Sequence, residues 1–86
     1  MHGKKVCALL DPVIVGNTIK RFRKKKKLPQ EIISGFADIG RTHLSAIERG
    51  ERRPTLDTFF KIAEALEMRP SELLAAIEEE INKAQK

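Results

Sequence analysis

Residues 41–49, RTHLSAIER, bring together two arginines, a histidine and three small residues that carry a hydroxyl or a methyl group. At helical spacing Leu44 and Ile47 face inward, leaving Arg41, Thr42, His43, Ser45, Ala46 and Arg49 on the outside. An arginine can give two N–H groups to the acceptors of guanine. Threonine and serine donate or accept, and an alanine or threonine methyl can meet the methyl of thymine. This is equipment for reading base edges. Around it stand donors suited to phosphate, namely Arg23, Lys24, Gln30, Arg52 and Arg53, together with the free N–H groups at the start of the helix that Gln30 opens. His43 is open to two readings, an exposed surface histidine or a base contact, and its place among the outward residues favours contact.

The charge pattern supports an anionic partner. Among 86 residues, 17 Lys+Arg against 12 Asp+Glu give +5. Residues 1–29 carry nine basic groups and one acid, residues 30–54 four of each, and residues 55–86 four basic groups and seven acids. The run KRFRKKKK is either a solvated face or a phosphate-contacting one, with Arg23 and one or two lysines the candidates for contact. Catalysis finds no footing: two histidines, one cysteine and no acids clustered by a nucleophile assemble no active site. The lone Cys7 excludes an internal disulfide and a cysteine-cluster zinc site, so no metal or cofactor is expected. The apolar run VCALL is too short for a signal-peptide core, and no stretch reaches the roughly 18–20 residues of a membrane span. A cytoplasmic protein is expected.

The elements that must hold these residues are all helical. Asp11-Pro12 is a start signal, since Asp caps and Pro fits the first helical position. Val15, Ile19 and Phe22 then form an apolar stripe that Lys26 is expected to complete with its methylene stem. Leu28-Pro29 ends this helix. A second helix runs from Pro29 or Gln30 to Ala37, with Ile33 and Ala37 inward and Ile32 and Phe36 widening that face. Asp38-Ile39-Gly40 reads as a tight turn, with Asp38 suited to the left-handed region and Gly40 as the cap of the third helix. That helix, Arg41 to Arg49, stops at Gly50. After the loop GERRP, Thr55 caps a fourth helix with Leu56, Phe59, Ile62, Ala63 and Leu66 on one face. Met68-Arg69-Pro70 breaks the chain, and Ser71 is expected to cap a fifth helix of about residues 71–85. There Leu74, Ile77 and Ile81 form a stripe.

Two short helices joined by a tight turn, the second opening with polar residues, make a helix-turn-helix. The segments IKRFRKKKKLPQE and ADIGRTHLSAIERGERRPTLDTFFKIAEALEMRPSELL resemble the lambda-repressor-like (XRE, Cro-type) regulators across residues 15–74. The run RTHLSAIERG is the most specific part. R-T-x-L-S-x-I-E-R-G and K-I-A-x-A-L are most similar to the controller proteins of restriction-modification systems. The resemblance implies an all-α, compact five-helix DNA-binding domain over residues 11–86, which uses its helix-turn-helix to regulate transcription. It implies a phosphate contact at Gln30, and a major-groove face at Arg41, Thr42, His43, Ser45 and Ala46. It also implies a partly buried ion pair between Arg23 and Glu48, with Arg23 near phosphate as well. Charge logic reaches the same pair, because an unpartnered Glu48 carboxylate within a basic surface would repel phosphate.

Three departures from the family pattern weaken the unit locally. Asp38 and Gly40 replace the usual Gly and Ser/Thr of the turn, Pro29 replaces a Ser/Thr cap, and Ser34 replaces an Ala. Gly35 adds a cost of about 1 kcal/mol inside a helix. One such helix reads only about four or five base pairs, too few to define a genomic site. A homodimer on an inverted repeat is therefore expected, with half-sites about 34 Å apart. Ile77 and Ile81 are assigned to its interface, and Leu74 to either that interface or the core. The acidic E78-E79-E80 would keep this end off DNA. The rival reading is an antitoxin-type module that binds a partner toxin through the last helix and represses its own operon. Residues 1–10 stay open between a disordered arm and packing of VCALL on the fifth helix or another subunit.

Overall fold

Each helix boundary follows from a local signal. The computed structural model describes residues 10–84, which form α1 (Pro12–Lys25), α2 (Gln30–Ala37), α3 (Arg41–Glu48), α4 (Leu56–Ala65) and α5 (Pro70–Ala84), with no strand among the described residues. Asp11 caps α1 by accepting the Val13 N–H at 2.9 Å. Thr55 caps α4 by accepting the Thr58 N–H at 3.1 Å. Ser71, the expected cap of α5, lies inside that helix. Pro70 opens it, and Glu72 reaches back to accept the Arg69 N–H at 2.9 Å, the reciprocal half of a capping box.

Four helices end in the same way, with one residue in the left-handed region: Lys27, Asp38, Gly50 and Glu67. The next N–H in each case bonds back five residues, Leu28 to Arg23, Ile39 to Ser34, Glu51 to Ala46 and Met68 to Ala63, at 2.9–3.0 Å. This is the Schellman arrangement, which usually places an apolar residue after the left-handed one. Leu28, Ile39 and Met68 obey and pack on the core. The residue after Gly50 is Glu51, which is exposed.

The helices enclose one aliphatic core. Ile19, Ile33, Leu44, Ile47, Ile62, Leu66, Leu73 and Ile77 are its fully buried large side chains. α1 packs on α3 and α5, α2 on α3 and α4, and α4 on α5. The short α2–α3 unit is thereby held from both sides.

Several sequence expectations need correction. Lys26 does not complete the α1 stripe: the helix ends at Lys25, Lys26 is exposed, and Arg23 is the buried residue there. Ile32 and Phe36 do not widen the inner face of α2. Phe36 is 59% exposed, because α2 lies so close to α3 and α4 that the narrower Ile33/Ala37 edge is the one enclosed. Leu56 is 73% exposed at the start of α4. On α5 the buried edge is Leu73 and Ile77, with Leu73 taking the place expected of Leu74. Ile77, assigned to an interface between copies, is 1% exposed and belongs to the core of the single chain. Leu74 is 49% exposed, and Ile81 is half-buried against the core. Of residues 1–10 only Leu10 lies within the described part, so the alternatives for the arm fall outside it.

Candidate nucleic-acid interface

α3 presents a polar face because its buried edge is narrow. Leu44, Ile47 and Glu48 turn inward, Arg41, Thr42 and Arg49 are exposed, and His43, Ser45 and Ala46 are half-buried. The expected outward set is thus on one side of one helix. No buried side-chain nitrogen or oxygen lacks a partner among the described residues.

Glu48 is the centre of the polar structure behind that face. Arg23 donates from Nε to Glu48 Oε2 at 2.6 Å and from Nη2 to Glu48 Oε1 at 3.0 Å. Its Nη1 donates to the Leu28 carbonyl at 3.0 Å, where the chain leaves α1. The ion pair anticipated from charge logic is therefore bidentate, buried, and a tie between α1 and α3. Each guanidinium nitrogen of Arg23 therefore donates to the protein, and the side chain is 11% exposed. Gln30, at the first position of α2, donates from Nε2 to Glu48 Oε1 at 3.0 Å. Ser45 donates from Oγ to Gln30 Oε1 at 3.0 Å. One hydrogen-bonded chain thus joins α1, α2 and α3.

Acids sit beside both outward arginines. Glu31 lies 3.5 Å from Arg41 Nε, both groups being exposed. Glu51 accepts from Arg49 Nε at 2.9 Å and from Nη2 at 3.0 Å. The hydrogen bonds of this fork, and then its charges, lower the Glu51 pKa from its ordinary value and raise that of Arg49. Lys24 and Arg52 are exposed. Arg53 Nη1 donates to the Leu10 carbonyl at 2.7 Å, beside the start of α1. Arg21 leans the other way, with Glu80 of α5 at 3.7 Å.

One residue that positions α3 and one that holds an outward arginine are absent from the sequence-based set. Gly16 faces the end of α3 so closely that an added methyl group would run into the Ile47 carbonyl oxygen and come within 2.7 Å of that of Glu48. A glycine in the middle of an amphipathic helix is the available signal, since it costs stability unless another backbone comes close. The other is Glu51, marked by an acid just past the helix-ending glycine.

No helix among the described residues is long and apolar enough to cross a membrane, and no group of three or more His, Cys, Asp or Glu among them is placed to hold a metal ion.

Residues 19–73 match the helix-turn-helix family HTH_3, and the chain belongs to that family. It is a DNA-binding transcriptional regulator of the XRE type, a class of binding proteins and not of enzymes. Its relatives narrow the class. It is 35% identical over 66 residues to the HTH-type transcriptional regulator y4dJ of Sinorhizobium fredii, covering 77% of this chain and 86% of that one. It is 36% identical over 63 residues to the control protein C.BamHI of Bacillus amyloliquefaciens, covering 72% and 78%. Among solved structures it is similar to the restriction-modification controller protein C.Esp1396I, crystallised as a tetramer in complex with its natural 35 base-pair operator. That match has 27% identity and a TM-score of 0.76, covering 86% of this chain and 97% of that one. The resemblance read from RTHLSAIERG therefore holds for both fold and class.

Proposed function

We propose that this protein is a sequence-specific regulator that binds an inverted-repeat operator as a homodimer, one α3 entering the major groove at each half-site. The observation that carries the reading is the outward polar face of α3, braced from behind by the Arg23–Glu48–Gln30 chain. Arg41, Thr42, His43, Ser45, Ala46 and Arg49 supply the base-edge contacts. Lys24, Arg52 and the second amide hydrogen of Gln30 supply phosphate contacts, and the lysine-rich end of α1 supplies long-range attraction. Arg23 acts in this scheme only as a brace.

The pairing surface follows from exposed apolar area. Leu10, Leu56, Phe60 and Leu74 line an open groove of about 350 Å³ between the starts of α1, α4 and α5. A second copy is the occupant proposed for it. The operator-bound tetramer of C.Esp1396I supports self-association in this family. Pairing doubles the number of bases read and sets half-sites about 34 Å apart. The work is done where the DNA is, in the cytoplasm.

Binding-site selection from a random DNA pool, followed by sequencing, tests the reading. An enriched inverted repeat with half-sites one helical turn apart is the expected result. Binding that favours no sequence at any salt concentration would sink it.

A further inference from the structure

The chain Arg23–Glu48–Gln30–Ser45 fixes the direction of every hydrogen bond in it. A carboxylate has no hydrogen to give, so Gln30 must meet Glu48 with its amide nitrogen. The observed Nε2 to Oε1 distance is 3.0 Å. The amide is thereby oriented, and its Oε1, which can only accept, faces Ser45 Oγ at 3.0 Å. The single hydroxyl hydrogen of Ser45 is committed to Gln30. Only lone pairs remain on Oγ for anything that approaches the outward side of α3.

We propose that Ser45 reads DNA solely as a hydrogen-bond acceptor, selecting an amino base (adenine or cytosine) over a keto base (guanine or thymine) on the strand it faces. In the major groove adenine N6 and cytosine N4 donate, whereas guanine O6 and thymine O4 accept. A free serine hydroxyl serves either kind by turning its hydrogen. Turning the Ser45 hydroxyl away would cost its bond to Gln30 Oε1 and leave that oxygen without its donor in a half-buried site. Gln30 is thus a positioning residue for specificity, in addition to any phosphate it holds. Its amide polarity is set in turn by the buried ion pair, so a contact far from the groove determines which bases are accepted. The inference rests on the reading of α3 as the major-groove helix.

The test compares wild type, Ser45→Ala and Gln30→Met, each checked for helical content and thermal melting. Sites are selected from a random pool, and affinities are then measured on four operators that differ only at the position whose preference Ser45→Ala erases. Wild type should favour adenine or cytosine there by about threefold to tenfold, the range of one net hydrogen bond. In Gln30→Met the freed hydroxyl should donate to keto bases nearly as well as it accepts from amino bases, flattening that position while the others keep their preferences. A merely structural role for Gln30 would weaken every position alike. The proposal is overturned if wild type ranks guanine or thymine first, if the amino preference survives Gln30→Met, or if no position depends on Ser45. Should Gln30→Met fail to fold, the wild-type ranking still decides. A wild-type protein that enriches no motif would overturn the reading of α3 itself, and this inference with it, an outcome distinct from an enriched motif with the wrong base.

Discussion

Glu51 holds the Arg49 guanidinium with both carboxylate oxygens, at 2.9 and 3.0 Å, across the glycine that ends α3. The geometry depends on Gly50, whose φ of 81° turns the chain back on itself. The residue after such a turn is normally apolar and packs inward. Here it is an exposed acid, and it binds an arginine of the outward face.

This pair gives a pH signature. The Glu51 carboxyl should titrate below its ordinary 4.5 in the folded protein and return toward that value in Arg49→Ala. Because the folded value is the lower one, the pair's contribution to stability is present above the ordinary pKa and is lost as pH falls through the depressed one. Carbon-detected NMR titration of the two proteins measures the difference directly. An exposed pair is worth little to stability, so its larger effect should be on DNA. Glu51→Gln removes an acid from the DNA-facing side and frees Arg49, so affinity for the preferred operator should rise by about two- to fivefold, read from mobility shifts at fixed salt.

The Arg23–Glu48 pair behaves differently because it is buried. Removing either partner leaves the other charge in the interior, which costs about 3–5 kcal/mol. Arg23→Ala and Glu48→Ala should each lower the unfolding free energy by that amount, and the denaturant midpoint with it. The double variant should cost less than the two together by about 1–3 kcal/mol, the coupling expected of residues in one network. Equilibrium urea unfolding of the four proteins measures the cycle. Strict additivity would mean that the pair does not act as a unit.

Gly16 sets how closely α1 approaches α3. Gly16→Ala would ordinarily favour a helix, by about 1 kcal/mol. Here the methyl group meets the Ile47 and Glu48 carbonyls, so a net destabilisation of about 1–3 kcal/mol is expected, the usual cost of overpacking. Thermal unfolding checks the sign. Since the displaced helix end carries Glu48, the variant should also lose DNA affinity.

These residues differ in how far the sequence alone announces them. Glu48 stands out, because an acid within a basic surface needs a partner, and Arg23 lies on the helix that can supply one. The α2–α3 unit is equally plain, since Pro29, Asp38, Gly40 and Gly50 punctuate it within a few residues. α5 is not plain. Leu73, Leu74, Ile77 and Ile81 contain two overlapping helical stripes that share Ile77 and Ile81, and periodicity cannot choose between them. The positions of α1 and α4 make the choice, burying Leu73 and leaving Leu74 outside. α2 poses the same problem with Ile32/Phe36 against Ile33/Ala37, and close packing selects the smaller pair. The Ser45–Gln30 bond also escapes sequence reading, because it depends on where two helices cross.

Base-reading and phosphate contacts should separate by their salt dependence. Arg41→Ala should cost about 1–3 kcal/mol on the preferred operator and relax selection at one base position. Lys24→Ala should weaken binding to every sequence alike and lower the slope of log K against log salt by about 1. Titrations at several salt concentrations, on operator and on scrambled DNA, distinguish the two.

The exposed apolar groove bears on assembly. Phe60 is 50% exposed and Leu74 49%, whereas Phe59 and Leu73 beside them are buried. Replacing an exposed side chain leaves the core intact, so Phe60→Ser and Leu74→Ser should fold with melting temperatures within a few degrees of wild type. If a second copy covers the groove, each substitution removes apolar contact area worth about 1–3 kcal/mol per side chain, and symmetry applies the loss twice. The double variant should therefore sediment as a monomer at concentrations where wild type is dimeric. On DNA it should bind a single half-site as well as wild type does, but lose the advantage of the full inverted repeat. Sedimentation velocity and mobility shifts on half-site and full-site DNA measure both effects. A double variant that stays dimeric would place the pairing surface elsewhere on the molecule.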